Sequence, residues 1–332
     1  MSDLRLSLAC WDYDRTRALR EGTVRPAGVD LTYLPLPVEE TFFRMLRFGE
    51  FDAAEMSLSS YVLTRGDDDP PFLAIPVFPS RAFRHSGIYV RAGGRVREPA
   101  DLIGATVGVP EYQMTAAVWI RGILAEHHGV PADSVHYRTG GLHDAGRGEK
   151  LKLNLPDTFD VKPIGADRTL DGLLRDGEID ALYTARAPRS YDPGSPDSPV
   201  RRLFPDYRKA EEQYARQTGI FPIMHTLVIR RDVYQRHPWV ARSLLDAFTE
   251  SKRLAYPELV EVTALKTMLP WGVLEAERTM ALLGRDFWPY GVDANRATLG
   301  AFLRYSHEQG LAAKRWQPED LFVPETLQST LI

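Results

Sequence analysis

The sequence predicts an α/β protein of two similar lobes joined by two crossing strands. Three observations carry that prediction. Short apolar strands alternate with amphipathic helices, the pattern of mostly parallel sheets covered on both faces. An octet recurs: residues 46–53 read LRFGEFDA and residues 174–181 read LRDGEIDA, identical at six of eight positions. Two further strand-like runs, Gly87–Val90 and His225–Ile229, stand where a chain would leave one lobe and return to it. The expected lobes are residues 1–86 together with 226–332, the latter part helical, and residues 87–225. A length of 332 residues, 44% of them hydrophobic and 26% charged, suits a two-domain globular protein.

Arg5–Cys10 reads as a first strand that ends at the polar turn Trp11-Asp12-Tyr13-Asp14. Phe42, Met45 and Leu46 share one helical face before Gly49; Leu170, Leu173 and Leu174 do the same before Gly177. Each glycine suits a left-handed C′ cap, and the acid-apolar-Asp-Ala run that follows opens a strand. Ser57, Ser59 and Ser60 stand at the entrance of the next helix. Asp67–Pro71 is a loop and Phe72–Val77 a strand. Ala105–Val109 is a short strand feeding a helix over 115–126, with Ala116, Trp119, Ile120, Ile123 and Leu124 on one face. Residues 139–162 show no period and read as a long excursion; Tyr191–Pro199 (YDPGSPDSP) is a loop. Val233–Leu254 reads as one long helix, and the remainder as mostly helical up to Pro318.

Several function classes drop out. A net charge of −4 without a long basic run argues against nucleic-acid binding. No apolar run approaches the roughly 20 residues of a membrane span. The single cysteine, Cys10, excludes an internal disulfide and favours a reducing compartment. Leu8-Ala9-Cys10 has the outline of a lipoprotein site, but the apolar stretch before it is too short for a signal peptide. A cytoplasmic location is expected. HExxH and paired-cysteine spacings are absent, so no metal is expected; GxSxG, GxxxxGK[ST] and a strand-linked GxGxxG are absent too.

In parallel α/β sheets ligands collect beyond the carboxyl ends of the strands. In the first lobe those ends carry Trp11, Asp12 and Tyr13, then Ser57, Ser59 and Ser60. In the second they carry Glu111, Tyr112, Gln113, Met114 and Thr115, then Tyr183 and Arg186. The expectation is a cleft with polar groups from both walls. The start of the helix near Thr115 offers unpaired N–H groups and a partial positive charge to a carboxylate. The serines equally suit a plain capping role. Beside the crossings stand Arg81 and Arg84, candidates for a carboxylate clamp, together with Ser86, His85 and His225. The two imidazoles titrate most readily near neutrality, so His85 and His225 are the expected catalytic pair. Glu111 is a third candidate if burial raises its pKa.

The stretches LACWDYDRTRAL, VEETFFRML, FDAAEMSLSSY, AIPVFPSRAFRHSGIYV, GVPEYQMTAAVWIRGIL and GEIDALYTARAP resemble the 4,5-dihydroxyphthalate decarboxylase family. The resemblance runs from Leu4 to about Phe322. It implies a type II periplasmic-binding-protein-like fold, a small aromatic carboxylate as the partner, and loss of one carboxylate from 4,5-dihydroxyphthalate to give protocatechuate. No organic cofactor is implied. The resemblance assigns no catalytic residues; those above rest on the strand-end argument. Self-association is left open. The competing reading is a non-catalytic solute-binding protein for an aromatic or related carboxylate, since fold alone does not separate the two.

Overall fold

A computed structural model describes residues 3–327. The elements in chain order are β1 (Leu4–Ala9), α1 (Arg17–Arg20), β2 (Val29–Leu34), α2 (Val38–Phe48), β3 (Ala53–Ser57), α3 (Leu58–Thr64), β4 (Phe72–Ile75), β5 (Ile88–Arg91), β6 (Thr106–Val109), α4 (Thr115–His128), β7 (His136–Thr139), β8 (Val161–Pro163), α5 (Leu170–Asp176), β9 (Ala181–Tyr183), β10 (Val200–Arg202), α6 (Tyr207–Thr218), β11 (His225–Arg230), α7 (Arg231–Arg236), α8 (Trp239–Leu259), α9 (Gly272–Leu283) and α10 (Arg296–Glu308). They form two compact units: residues 1–81, 223–299 and 317–332, and residues 82–222 with 300–316.

The first unit holds a five-stranded sheet in the order β2-β1-β3-β11-β4. β1, β2 and β3 are parallel, and β11 runs antiparallel to β3 and β4. Leu6, Leu8, Ala53, Leu227 and Ile229 pack there against Val240, Leu244 and Phe248 of α8. The second unit holds a six-stranded sheet in the order β10-β5-β9-β6-β7-β8. β6, β7, β8 and β9 are parallel, and β5 is antiparallel to both β9 and β10. Leu170, Leu173 and Leu174 of α5 pack on Tyr89, Ile179 and Leu182.

The repeated octet is one αβ step used twice. Gly49 (φ 56°) closes α2 and Gly177 (φ 80°) closes α5, both left-handed, where a side chain would be strained. The aspartate of each copy then bonds the adjacent parallel strand. Asp52 accepts from the Ser7 N–H at 2.8 Å, and Asp180 accepts from the Thr106 N–H at 2.9 Å. Register matches as well: Ala53 stands beside Leu8, and Ala181 beside Val107. The strand sets β2-β1-β3-β11 and β7-β6-β9-β5 therefore correspond in order and direction.

Three expectations need correction. The single helix over Val233–Leu254 is two helices, α7 and α8, broken at His237-Pro238. Proline lacks the N–H a helix needs and pushes the preceding residue out of the helical region; His237 sits at φ −141°, ψ 64°. Past Leu259, among the described residues, α-helix is confined to α9 and α10, with no α-helix over 260–271 and 284–295 and short 3-10 turns at Asp293–Asn295, Pro318–Leu321 and Pro324–Thr326. The placing of all of 226–332 in the first lobe also fails for 300–316. There Phe302 and Tyr305 pack on Trp119 of α4, and the Gln309 side chain donates to the Val118 carbonyl at 2.9 Å.

That packing generates a prediction. A Cβ at Gly122 would lie 2.1 Å from the Tyr305 ring. Gly122→Ala should overpack the contact and destabilise the protein by about 1–3 kcal/mol, lowering the melting temperature. An unchanged denaturant midpoint would show that the ring yields freely.

Candidate active site

The first unit gathers its polar groups around one buried acid. Glu55 lies in β3, a strand buried at all five positions, and its own exposure is 0%. A carboxylate in such a place must be satisfied by donors. Glu55 accepts from His225 Nδ1 at 2.6 Å, the Tyr13 hydroxyl at 2.7 Å, the Trp11 N–H at 3.0 Å and Cys10 Sγ at 3.5 Å. Burial alone would raise its pKa. The His225 hydrogen bond and charge, with the Trp11 and Tyr13 hydrogen bonds, outweigh that and hold the acid below the usual carboxylate range. Glu55 is therefore the anion of the group, and His225 Nδ1 carries the proton between them.

The same burial acts oppositely on the neighbours. It pushes the Tyr13 phenol and the Cys10 thiol well up, reinforced by the Glu55 charge. Both stay protonated donors, so Cys10 is no nucleophile here. His225 opens β11 opposite Ser57, at the carboxyl end of β3, and the edge of its ring meets Phe42 at 4.9 Å. Its side chain keeps 16% exposure, so one side of the ring is reachable. The Arg15 guanidinium is sandwiched between the Tyr13 and Trp288 rings at 4.0 and 4.1 Å. It thus stacks on the phenol that donates to Glu55, and it is itself ion-paired to Asp14 at 2.9 Å.

Other expected residues of this unit fall elsewhere or serve the backbone. Trp11 is 40% exposed and contributes its N–H. Asp12 turns away to an ion pair with Arg20. Ser57 caps α3 by accepting from the Ser60 N–H, and Ser59 and Ser60 are buried in that short helix. Arg81 is buried against the Pro289 carbonyl at 2.7 Å and the Asn295 side chain, and burial lowers its pKa to about 9.

In the second unit Glu111, Tyr112, Gln113 and Thr115 are buried at the start of α4, with Met114 as the N-cap residue. Glu111 is ion-paired to Arg147 at 2.6 Å and Lys150 at 3.1 Å. Those two cations make it an anchor for the 139–162 excursion rather than a lone acid. The titrating carboxyl is Glu149. Burial and the Glu111 charge push it up to about 7, although it accepts from the Tyr112 N–H; its Oε2 is buried without a partner. Tyr183 ends β9, fully buried, while Arg186 is exposed.

His85 is not part of that group. Its ring packs against Phe204 at 5.2 Å, Tyr214 at 5.5 Å and His128 at 6.2 Å. His128 ends α4, about 20 Å along the helix from Thr115 at 1.5 Å per residue. Burial and the charges of His128 and His127 lower the His85 pKa to about 4, so it is neutral at pH 7. Its neighbour Ser86 donates its N–H to Glu211 at 3.0 Å, and burial lowers the Arg84 pKa to about 10. Among the described residues no three His, Cys, Asp or Glu side chains stand where they could share a metal ion. No helix among them is long and apolar enough to cross a membrane.

The strand-end argument missed Glu55, Arg15, Arg121 and Glu149. Glu55 had a signal: an acid within the otherwise apolar run FDAAEMS. Arg121 had the same signal in the apolar helix TAAVWIRGIL. Glu149 had none, because its segment lacks a period.

Comparison with known proteins decides the family. A 4,5-dihydroxyphthalate decarboxylase of Comamonas testosteroni is 43% identical over 329 residues, covering 99% of each chain. The chain belongs to the 4,5-dihydroxyphthalate decarboxylase family. A second member, from Pseudomonas putida, is 42% identical over 216 residues, 65% of this chain and 83% of that one. No family model matches the chain. Among solved structures, the periplasmic aliphatic sulphonate binding protein SsuA of Escherichia coli superposes with a TM-score of 0.55 at 13% identity, over 97% of this chain and 98% of that one. A sulfonate-binding SsuA protein of Methylobacillus flagellatus gives 0.53 at 13%, over 98% and 93%. These establish the type II periplasmic-binding-protein-like fold.

Glu149 supplies a pH test. Its pKa is raised in the folded state, so its favourable contribution is present below about 4.5 and is lost as pH rises through about 7. Glu149→Gln, a neutral isostere, should match the parent's stability at acid pH and exceed it above pH 7. The gain should reach up to about 3 kcal/mol, taking 1.36 kcal/mol per pH unit from 4.5 to about 7. Thermal melts across pH measure the difference; a pH-independent offset would contradict the assignment.

Proposed function

We propose that this family member decarboxylates 4,5-dihydroxyphthalate to protocatechuate, with the Glu55–His225 pair as its base, in cytoplasmic catabolism of aromatic compounds. The observation that carries the base assignment is the 2.6 Å contact from a fully buried carboxylate to His225 Nδ1. That contact fixes the imidazole orientation and tautomer, leaving Nε2 as the nitrogen that can accept a proton. It also stabilises the imidazolium formed when a proton arrives. The free, buried Cys10 suits a reducing interior.

The chemistry follows from the ring. Each carboxylate of 4,5-dihydroxyphthalate is para to a hydroxyl. Transfer of that hydroxyl's proton to His225 Nε2 pushes electron density onto the carbon bearing the carboxylate. That carbon takes a proton ultimately drawn from water. The bond to the carboxylate then breaks, its electron pair returns to the ring and carbon dioxide leaves. The imidazolium gives its proton back to the product phenolate. Charge fixed in advance, from Arg15 and the buried Glu55, needs no reorganisation during the step.

Purified protein incubated with 4,5-dihydroxyphthalate should release carbon dioxide and protocatechuate. His225→Ala should cut turnover by about 10²–10⁴-fold, the usual size of acid–base help, with little change in substrate affinity. Equal loss of both, or loss of neither, would remove His225 from the base role. Tight binding without turnover by the parent protein would instead identify a receptor.

A further inference from the structure

Among the described residues, the second unit contains a buried cation to which no carboxylate is bonded. Arg121 points from α4 into the interior and is 1% exposed. Its Nε donates to Gln309 Oε1 at 2.7 Å, and its Nη2 donates to the Tyr112 carbonyl at 2.6 Å. Its flat face covers the Tyr112 ring at 3.9 Å, with the Tyr137 ring at 5.4 Å. These partners are all neutral. Nη1 is buried with no hydrogen-bond partner. The carboxyl nearest in influence, Glu149, is bonded to the Tyr112 N–H instead. A buried guanidinium with no carboxylate bonded to it is poorly compensated for its lost hydration, and an orphaned N–H adds to that cost. Such an arrangement persists when the missing partner is a ligand.

A second orphan lies close by. The Tyr183 hydroxyl is buried with no partner, and the Arg121 charge acts on that phenol. Burial pushes the phenol up, so it remains a donor. Tyr183 also occupies a telling position. Counting from the shared Asp-Ala of the octet, Tyr183 in β9 is the counterpart of Glu55 in β3. In each sheet this residue lies on the parallel strand that borders the antiparallel one, two residues past the shared alanine of the octet. The rings around the two donors form an aromatic wall: Tyr112 to Tyr137 at 5.2 Å and Tyr137 to Tyr183 at 6.5 Å between centroids. The first turn of the 14-residue α4 adds its partial positive charge.

We infer that Arg121 Nη1 and the Tyr183 hydroxyl form a seat for one carboxylate of an aromatic acid, with Tyr112 and Tyr137 as the ring-facing wall. One guanidinium N–H and one phenol O–H match the two oxygens of a single carboxylate. The aromatic, dicarboxylic character of the guest rests on the decarboxylase reading above; the anion seat itself does not.

The test uses the full chain and calorimetric titration with phthalate, the dicarboxylate without ring hydroxyls, which lacks the phenol needed for turnover. Catechol, which has the hydroxyls and no carboxylate, is the control. The parent protein should bind phthalate and not catechol. Tyr183→Phe removes one oxygen and should weaken phthalate about ten-fold or more, the value of a hydrogen bond to a charged group. Arg121→Gln should weaken it further. Should Arg121→Gln fail to fold, Tyr183→Phe with an unchanged near-ultraviolet spectrum decides alone. Phthalate binding by Tyr183→Phe equal to the parent's overturns the seat, as does a parent that binds no phthalate. Phthalate binding that depends on Tyr183, in a parent inactive on 4,5-dihydroxyphthalate, overturns the decarboxylase reading and upholds the seat.

Discussion

The first unit is organised by the need to keep Glu55 charged where water does not reach. An ionised carboxylate in a protein interior is tolerated only when hydrogen bonds replace its hydration. Here the replacements come from two directions. The turn after β1 supplies the Trp11 N–H, the Tyr13 hydroxyl and the Cys10 thiol, and the start of β11 supplies His225. The acid therefore ties two chain segments more than 200 residues apart to the middle of β3. It also explains the company it keeps. Tyr13 and Cys10 are groups whose protons burial makes harder to lose, so they remain donors to the anion. His225 is the one donor of the set that can take up a further proton at its outer nitrogen.

The two units solve the same geometric problem with opposite chemistry. Both use a glycine-closed helix, an aspartate that bonds the neighbouring parallel strand, and a strand ending beside an antiparallel one. At the corresponding strand position the first unit places an acid, which is fully satisfied internally. The second places a phenol, whose hydroxyl has no internal partner, near a guanidinium with one nitrogen, Arg121 Nη1, left open. An internally satisfied group holds another side chain in place. A group left with an open donor is shaped by what is to arrive. The duplicated scaffold thus leaves one copy of the position for positioning and the other for receiving.

Legibility in the sequence followed the length scale of the interaction. The αβ steps could be read because helix caps and strand starts are local, and LRFGEFDA and LRDGEIDA state them twice. The break between α7 and α8 was missed although Pro238 was in plain view, because the apolar period runs through it. His225 stands out in the sequence as a strand-start histidine, whereas its partner Glu55 reads as an ordinary member of a buried strand. His85 carried the same conspicuousness and landed in an aromatic nest, where burial removes its charge near neutrality. Which of two similar histidines meets an acid depends on pairing between distant strands, and no local pattern encodes that. The ion partners of Glu111, Arg147 and Lys150, were illegible for a related reason: they come from an excursion with no periodicity.

The carboxyls of the two units complete the argument about roles. Glu55 and Glu149 have the same chemistry, and burial pushes both toward the neutral form. Glu55 has four donors and ends below the usual range; Glu149 has the negative Glu111 nearby, one unpartnered oxygen, and a pKa of about 7. Environments that drive like groups apart in this way separate a fixed charge from a group that exchanges protons. Glu55 cannot exchange its proton state without abandoning Tyr13, Trp11 and His225 together, so it acts through the imidazole it holds. Decarboxylation at a ring carbon needs a group that first accepts a proton and later returns it at nearly the same pH. On the proposed reading that part falls to His225, exposed on one side and held by an anion on the other.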